Sequence, residues 1–320
     1  MTFGKKILWM FIGGALTLAL VCGACAPLLL VASTLQGAQM SSSLPSGPGV
    51  AVVRVEGIIV SGDAPVSPFG TQSSIAYSGR VVRHLKWAQD NSNVKAVVLR
   101  VDSPGGSVVA SNEIWQQMTA MTKPVVVSMG EMAASGGYYV SAPADQIFAN
   151  PDTLTGSIGV IAQFLDLSQL LAEYGVAATT VKSGKFKDEG SMFRPMTGEE
   201  KAVWQTIIDE AYAGFVTVVA DGRGLPVEDV KKVADGRVYT GRQAKDLKLV
   251  DELGNLPEAV KRAGELGGIA GAPEILEYRE PLDFFQDLFK MIGPSDPLAN
   301  LVALLDRGHG PALQYLYTSP

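Results

Sequence analysis

The sequence predicts an α/β domain with a parallel sheet, carried behind a long apolar N-terminal segment. Three observations point that way. Continuous apolar runs such as "VKAVVLRVD" (94–102) and "PVVVSMGE" (124–131) have the make-up of strands buried on both faces. Segments with helical spacing alternate with such runs to about Phe186, as crossovers between parallel strands require. The stretch from Ile7 to Ser33 contains no charged residue, and a membrane-spanning helix needs about 20 apolar residues.

The elements follow in chain order. Lys5 and Lys6 precede the apolar stretch, and no basic residue follows it until Arg54, which puts residues 1–6 in the cytoplasm. A secretory signal peptide has an apolar core of about 7–15 residues, so residues 7–33 read as a retained signal anchor. "CGAC", ending at Cys25, is a poor lipoprotein cleavage site, and with or without cleavage the bulk of the chain is exported. Residues 34–48, rich in Ser, Gly and Pro, form a flexible linker. Order begins with the β-branched run "VAVVRVEGIIVSG" (50–62). Helical segments are expected around Gly79–Asn91 and Ser107–Thr122, the second with Ile114, Met118 and Met121 on one side. A long amphipathic helix follows over Gly198–Gly224, its apolar positions including Val203, Ile207, Ala211, Phe215 and Val218. The domain is expected to span residues 49–272. In the tail, 273–320, Phe284, Phe285, Leu288, Phe289 and Ile292 share a helical face suited to packing on the domain, on another subunit or on a membrane surface.

Composition narrows the function. The chain has 320 residues, with 26 Lys+Arg against 32 Asp+Glu, so it lacks the basic balance of a nucleic-acid binder. Both cysteines, Cys22 and Cys25, lie in the apolar stretch, so the remainder can hold neither a disulfide framework nor a thiolate metal site. Nothing calls for a metal or an organic cofactor.

Three stretches carry chemistry-bearing residues. "DSPGGSVVAS" (102–111) places paired glycines between a strand and a helix, where backbone N–H groups can face an oxyanion. "EMAASGGYYVSAPAD" (131–145) sets Ser135 among small residues that let a substrate backbone or a neighbouring helix approach closely. "VKSGKFKDEGS" (181–191) is a glycine-containing turn bearing Lys182, Lys185 and Lys187. Taken singly, these read as a tight turn, a helix-packing seam and a solvated loop. A serine nucleophile needs a base, and the only histidines are His84, in a charged helix, and His309, in the glycine-rich "RGHGP". A Ser-Lys pair needs neither, provided that burial lowers the lysine pKa from ~10.4 by ~3 units.

In order and spacing, "DSPGGSV", "ASGGYY", "TLTGSIGV", "SGKFKD", "RVYTGRQA" and "LVDELG" resemble signal peptide peptidase A, also called protease IV, in its short single-domain form. The resemblance covers roughly Val50 to Gly267. It implies a Clp protease/crotonase-like ββα superhelix, assembled as a homo-oligomer, that cuts hydrophobic signal peptides and other exported polypeptides on the outer side of the cytoplasmic membrane. It also implies Ser135 as nucleophile, Lys187 as general base, Ser157 as the residue orienting that lysine, and the N–H groups of Gly106 and Gly136 as the oxyanion hole. A peptidase specific for one membrane partner and a non-catalytic scaffold of the same fold stay open beside it; an acyl-CoA enzyme of the crotonase type would carry no anchor. One departure is Lys248, which stands where the family usually has a glycine at a helix C-terminal turn; αL geometry kept there would cost about 1–2 kcal/mol.

Overall fold

Strand β1 (Gly49–Glu56) lies between β4 (Val94–Ser103) and β11 (Glu274–Leu276). From β4 the sheet continues through β6 (Val125–Ala134) and β7 (Gln146–Ala149) to β10 (Glu252–Leu253), every pairing on this path being parallel. These elements belong to a computed structural model that describes residues 47–63, 75–278 and 314–316. The expected anchor at 7–33, the aromatic face around Phe285 and His309 lie outside the described residues. Among the described residues, no helix is long and apolar enough to cross a membrane.

The strands are apolar without alternation because both faces of the sheet are covered. Val50, Val52, Ala96, Val98 and Val126 meet Ala259, Val260 and Ala263 of helix α8 (Leu256–Leu266). Ala51, Val53, Val97, Leu99, Val127 and Met129 point the other way, into the main core. That core is roofed by α1 (Ser78–Asp90), α2 (Val108–Thr119), the short α3 (Gly136–Ser141) and the C-terminal half of α5 (Gly198–Arg223). Each fully buried Val or Leu side chain stabilises the fold by about 1.5–3 kcal/mol relative to exposure, so a strand offering only one apolar face would not hold this central position.

The expected helices at 79–91 and 107–122 and the long one at 198–224 are present as α1, α2 and α5. Helix α5 starts with a capping box between Thr197 and Glu200 and ends at Gly224 in the left-handed region, φ 62°. The alternation stops earlier than expected. After β8 (Leu154–Gly156) comes an arm, residues 162–195, containing no strand and one short helix, α4 (Ser168–Glu173). Several of its apolar residues are uncovered among the described residues: Val181 is 96% exposed and Tyr174 79%. The tail, to which the sequence assigns no role, supplies β11 and one further strand, β12 (Gln314–Leu316).

A second, four-stranded sheet positions the site: β12, β5 (Gly105–Ser107), β2 (Ile58–Val60) and β3 (Ile75–Tyr77), in that order. Gly57, at φ 84°, turns the chain from β1 of the large sheet into β2 of the small one. Lys248 takes φ 61° just beyond α7 (Gly241–Asp246), so the left-handed turn is kept without its glycine.

Candidate active site

The two candidate serines are brought together by strand register. Strand β8 pairs with β6 in parallel, Ala134 opposite Gly156, and Ser135 and Ser157 are the next residues on each. Adjacent strand ends about 4.8 Å apart therefore deliver both hydroxyls to one place. Among the described residues, the non-glycine positions with positive φ are Ser135 (54°), Ser157 (48°) and Lys248 (61°). Two of the three are the candidate serines. A backbone held there costs about 1–3 kcal/mol and persists only where the surroundings impose it. They do so here: Ser135 N–H donates to the Gly156 carbonyl at 2.8 Å, Ser157 N–H to the Arg237 carbonyl at 2.8 Å, and the Ser135 carbonyl accepts from Tyr139 N–H at 2.8 Å. Ser135 is 1% exposed and Ser157 7%.

The glycines stand around Ser135 because nothing larger fits. A Cβ on Gly106 would lie 2.0 Å from the Ile59 carbonyl oxygen. One on Gly105, whose φ is 100°, would lie 2.0 Å from the Tyr315 carbonyl oxygen and 2.6 Å from the Gly136 nitrogen. One on Gly136 would meet Ser111 Oγ at 2.6 Å. Gly105, Gly106 and Gly136 thus form one tight backbone cluster beside the serine. Ser103 ties it down, its hydroxyl donating to the Gly57 carbonyl at 2.6 Å and accepting from Gly105 N–H at 3.0 Å. Ser111 Oγ is buried with no hydrogen-bond partner among the described residues.

Ser135 and Ser157 open into a cleft of about 460 Å³, walled by Val160, Ile161, Ile208, Tyr212 and Leu316 among others. A larger cleft of about 750 Å³, lined by Arg54, Arg80, His84 and Asp102, contains neither serine. His84 instead packs beside Tyr278, ring centroids 4.7 Å apart. Lys187 does not line the serine cleft; it is exposed on the arm. The arm is nonetheless tied at its base. Arg194 donates to both carboxylate oxygens of Asp188, the neighbour of Lys187, at 2.7 and 3.0 Å, and to Glu200 at the start of α5 at 2.9 Å. The Arg194 guanidinium, helped by Lys182, holds the Asp188 carboxyl well below the usual range. Hydrogen bonds from Arg194 and then from the Thr197 backbone lower that of Glu200 to about 2.

Four of the five sequence-assigned residues therefore converge, Ser135, Ser157, Gly106 and Gly136, while Lys187 stands apart in the single chain. Comparison with known proteins identifies what this cluster belongs to. A model of peptidase family S49 matches residues 117–270, and a model of Clp protease matches residues 69–154. A Synechocystis sp. relative assigned as a protease is 40% identical over 222 residues, 69% of this chain and 75% of that protein. The chain belongs to peptidase family S49. Other S49 relatives include Protease 4 of Haemophilus influenzae, 40% identical over 68% of this chain and 34% of that protein. One from Enterococcus faecium, assigned as signal peptide peptidase SppA, is 45% identical over 55% of this chain and 52% of that protein. The chain thus matches between about a third and three quarters of the length of these S49 relatives. Its parallel-rich α/β architecture agrees with the Clp protease match.

The sequence did not reveal the cleft walls. Ile161, Ile208, Tyr212 and Leu316 come from the residue before the arm, from α5 and from the tail, and meet only through long-range packing. The unexplained tail was the available signal, since it resembled nothing yet ends in the apolar "LQYLY".

Proposed function

We propose that this chain is a membrane-anchored serine endopeptidase using a Ser-Lys dyad. Ser135 attacks a peptide carbonyl, and the N–H groups of Gly106 and Gly136 stabilise the oxyanion. Lys187 takes the serine proton and passes it to the leaving amine, and Ser157 orients the lysine. Water then releases the acyl group. The observation that carries this reading is the pair of buried serines at positive φ on register-matched strand ends, against a glycine cluster that excludes any Cβ. Membership of S49 and relatives named as proteases support the same chemistry.

The base must reach the serine, and it must be desolvated to work as a base. The arm bearing Lys187 is exposed and carries uncovered Leu165, Leu170, Tyr174, Val181 and Phe186. We take a second copy of the chain as the cover, in a homo-oligomer where the arm of one subunit brings Lys187 to Ser135 of another and buries it. The strand and helix order is consistent with a ββα superhelix. The uncharged stretch 7–33 would anchor the chain in the cytoplasmic membrane with the domain outside, where hydrophobic signal peptides left after export would meet the Val160, Ile161, Ile208 and Leu316 side of a cleft that also carries Asp209 and Asp235. No nucleic acid enters this reading.

The test uses wild type, Ser135→Ala and Lys187→Ala with a synthetic signal peptide, fragments being read by mass spectrometry. Cleavage is expected from wild type alone. Mixing the two inactive variants is expected to restore part of the activity, because mixed assemblies pair an intact Ser135 with an intact Lys187. Cleavage by both single variants would refute the dyad. Silence of the mixture, with mixed assembly demonstrated, would refute the sharing between subunits.

A further inference from the structure

Strand β6 changes neighbour just before it delivers Ser135. Its first half pairs with β7, from Val126 opposite Gln146 to Ser128 opposite Phe148, and its end pairs with β8, from Met132 opposite Leu154 to Ala134 opposite Gly156. Between the two halves its ladder with β4 is interrupted: Val101 stands opposite Met129 but Ser103 opposite Ala133. Asp102 of β4 therefore faces a bulge of β6 made of Gly130, Glu131 and Met132. A bulge bends its strand and re-aims the residues that follow, here those that run into Ser135. Side chains hold it where the ladder cannot. Asp102 Oδ1 accepts from Met132 N–H at 3.1 Å. The buried Thr153 and Thr155 hydroxyls donate to the Gly130 carbonyl at 2.6 Å and to the Ala133 carbonyl at 2.7 Å, and Arg100 donates to the Met129 carbonyl at 2.8 Å. Gly130 leaves room for the carboxylate, since a Cβ there would lie 2.6 Å from Asp102 Cγ. On its other side Asp102 accepts Gly57 N–H on its own carbonyl at 2.9 Å, and its neighbour Ser103 ties down Gly57 and Gly105.

We propose that Asp102 is a positioning residue: its carboxylate bridges the strand that leads to the oxyanion glycines and the strand that ends in the nucleophile, where the ladder between them is interrupted, and so sets Ser135 against the N–H of Gly106. The roles of Ser135 and Gly106 rest on the peptidase reading; the bulge and its clamp do not. Without the bridge the Met132 N–H loses its acceptor and the bulge can relax, carrying Ser135 away from a glycine turn that Ser103 keeps in place. A misplacement of about 1 Å between reacting groups costs up to about 10²-fold in rate. The cleft walls at Val160, Ile161, Ile208 and Tyr212 belong to other segments, so peptide binding is spared and the loss falls on kcat. Asp102 also borders the larger cleft with Arg54, Arg80 and His84. A role exerted by its charge toward that cleft would need the carboxylate, whereas the clamp needs only an acceptor at Oδ1, which an amide also offers.

The experiment uses the full chain as wild type, Asp102→Leu and Asp102→Asn, with Ser135→Ala as the blank. Each is assayed for kcat and KM on a synthetic signal peptide and for nitrophenolate release from p-nitrophenyl acetate. In the second reaction Ser135 Oγ bonds to the acetyl carbon, the ester bond breaks, and nitrophenolate leaves without needing a proton. Leucine keeps the volume and removes the acceptor; asparagine keeps the acceptor and removes the charge. Asp102→Leu is expected to lower kcat about tenfold to a hundredfold with KM within about twofold of wild type, and Asp102→Asn to recover kcat to within about threefold of wild type. Should Asp102→Leu fail to fold, Thr153→Val decides: it removes the hydroxyl on the Gly130 carbonyl and is expected to lower kcat in the same way, with Thr153→Ser restoring it. Wild-type kcat in folded Asp102→Leu or Thr153→Val, a loss confined to KM, or an equal loss in Asp102→Asn and Asp102→Leu overturns the proposal. If no peptide is cut, but nitrophenolate release requires Ser135 and follows the expected order of variants, the peptidase reading fails and the positioning role stands. If peptide is cut equally well without the Asp102 acceptor, the reverse is true. A wild type inert toward both substrates overturns both.

Discussion

Gly106→Ala is the sharpest test of the site, because the structure states what the added carbon would meet. Its Cβ would sit 2.0 Å from the Ile59 carbonyl oxygen and 2.7 Å from both the carbonyl carbon and the nitrogen of that residue, whereas ordinary contact begins at 3.4 Å. These atoms are backbone of β2, which pairs with β5 at this very position, Ile59 opposite Gly106. No side chain can swing away, so the two strands must part by more than an ångström or so. Overpacking of this kind destabilises by about 1–3 kcal/mol. The catalytic effect is larger in proportion: moving the Gly106 N–H by that distance removes one oxyanion donor, worth about 10²–10³ in kcat, or about 2.7–4 kcal/mol. Gly214→Ala is the control. It lies in α5 with no atom within 4 Å of its would-be Cβ, so it should stabilise by about 1 kcal/mol through helix propensity and leave kcat alone. The assay is kcat and KM on a fixed peptide beside a thermal melt. Wild-type kcat in a folded Gly106→Ala protein would refute the assignment of that N–H to the oxyanion.

Two further outcomes are expected. Lys248→Gly relieves a side chain held at φ 61° with its N–H donating to the Lys245 carbonyl at 3.0 Å, and should raise stability by about 1 kcal/mol, about 2–4 °C in Tm, without altering activity. An unchanged or lower Tm would mean that the lysine side chain makes up for the strain. The Arg194–Asp188–Glu200 cluster sets an acid limit: both carboxyls are depressed in the folded state, Glu200 from an unfolded value near ~4.3 to about 2, so their contribution is present above ~4.3 and lost as pH falls through about 2. Urea unfolding of wild type and Glu200→Gln should therefore differ at pH 7 and converge near pH 2; a difference that persists there would place the effect in packing rather than charge.

What the sequence made legible was what is local. The apolar runs at 94–102 and 124–131 named their own strands because burial on both faces leaves no polar alternation to misread. Apolar spacing over Gly198–Gly224 marked α5, whose ends the structure shows capped by Thr197 with Glu200 and by Gly224. The glycines at 105, 106 and 136 and the serines at 135 and 157 were recognisable as motifs. Their convergence follows from one register, Ala134 opposite Gly156, which no single segment encodes. The aromatic cluster was not legible for the same reason: Tyr139 and Phe215 belong to separate helices, and Tyr315, a hundred residues beyond Phe215, packs against both. The arm misled because the alternation of strand and helix was extended to about Phe186, whereas Leu165, Leu170, Tyr174, Val181 and Phe186 stay exposed among the described residues.

The proposed nucleophile and the proposed base therefore stand on parts of the chain that are packed very differently. Ser135 sits at the end of a strand buried on both faces, its backbone fixed by Gly156 and Tyr139 and its approach shaped by glycines that touch backbone atoms on every side. Lys187 sits on an arm whose firm attachment is polar and lies at its base, through Asp188 and Arg194 to Glu200, with Phe164 wedged against Trp204 at 4.8 Å. A serine hydroxyl needs a base to become a strong nucleophile, so the proposed chemistry waits on the arm that carries Lys187. If Lys187 is the base, Arg194 is a positioning residue: Arg194→Met loosens the loop that carries the lysine and the first turn of α5, and is expected to lower kcat with little change in KM on a fixed peptide, an unchanged kcat refuting the role.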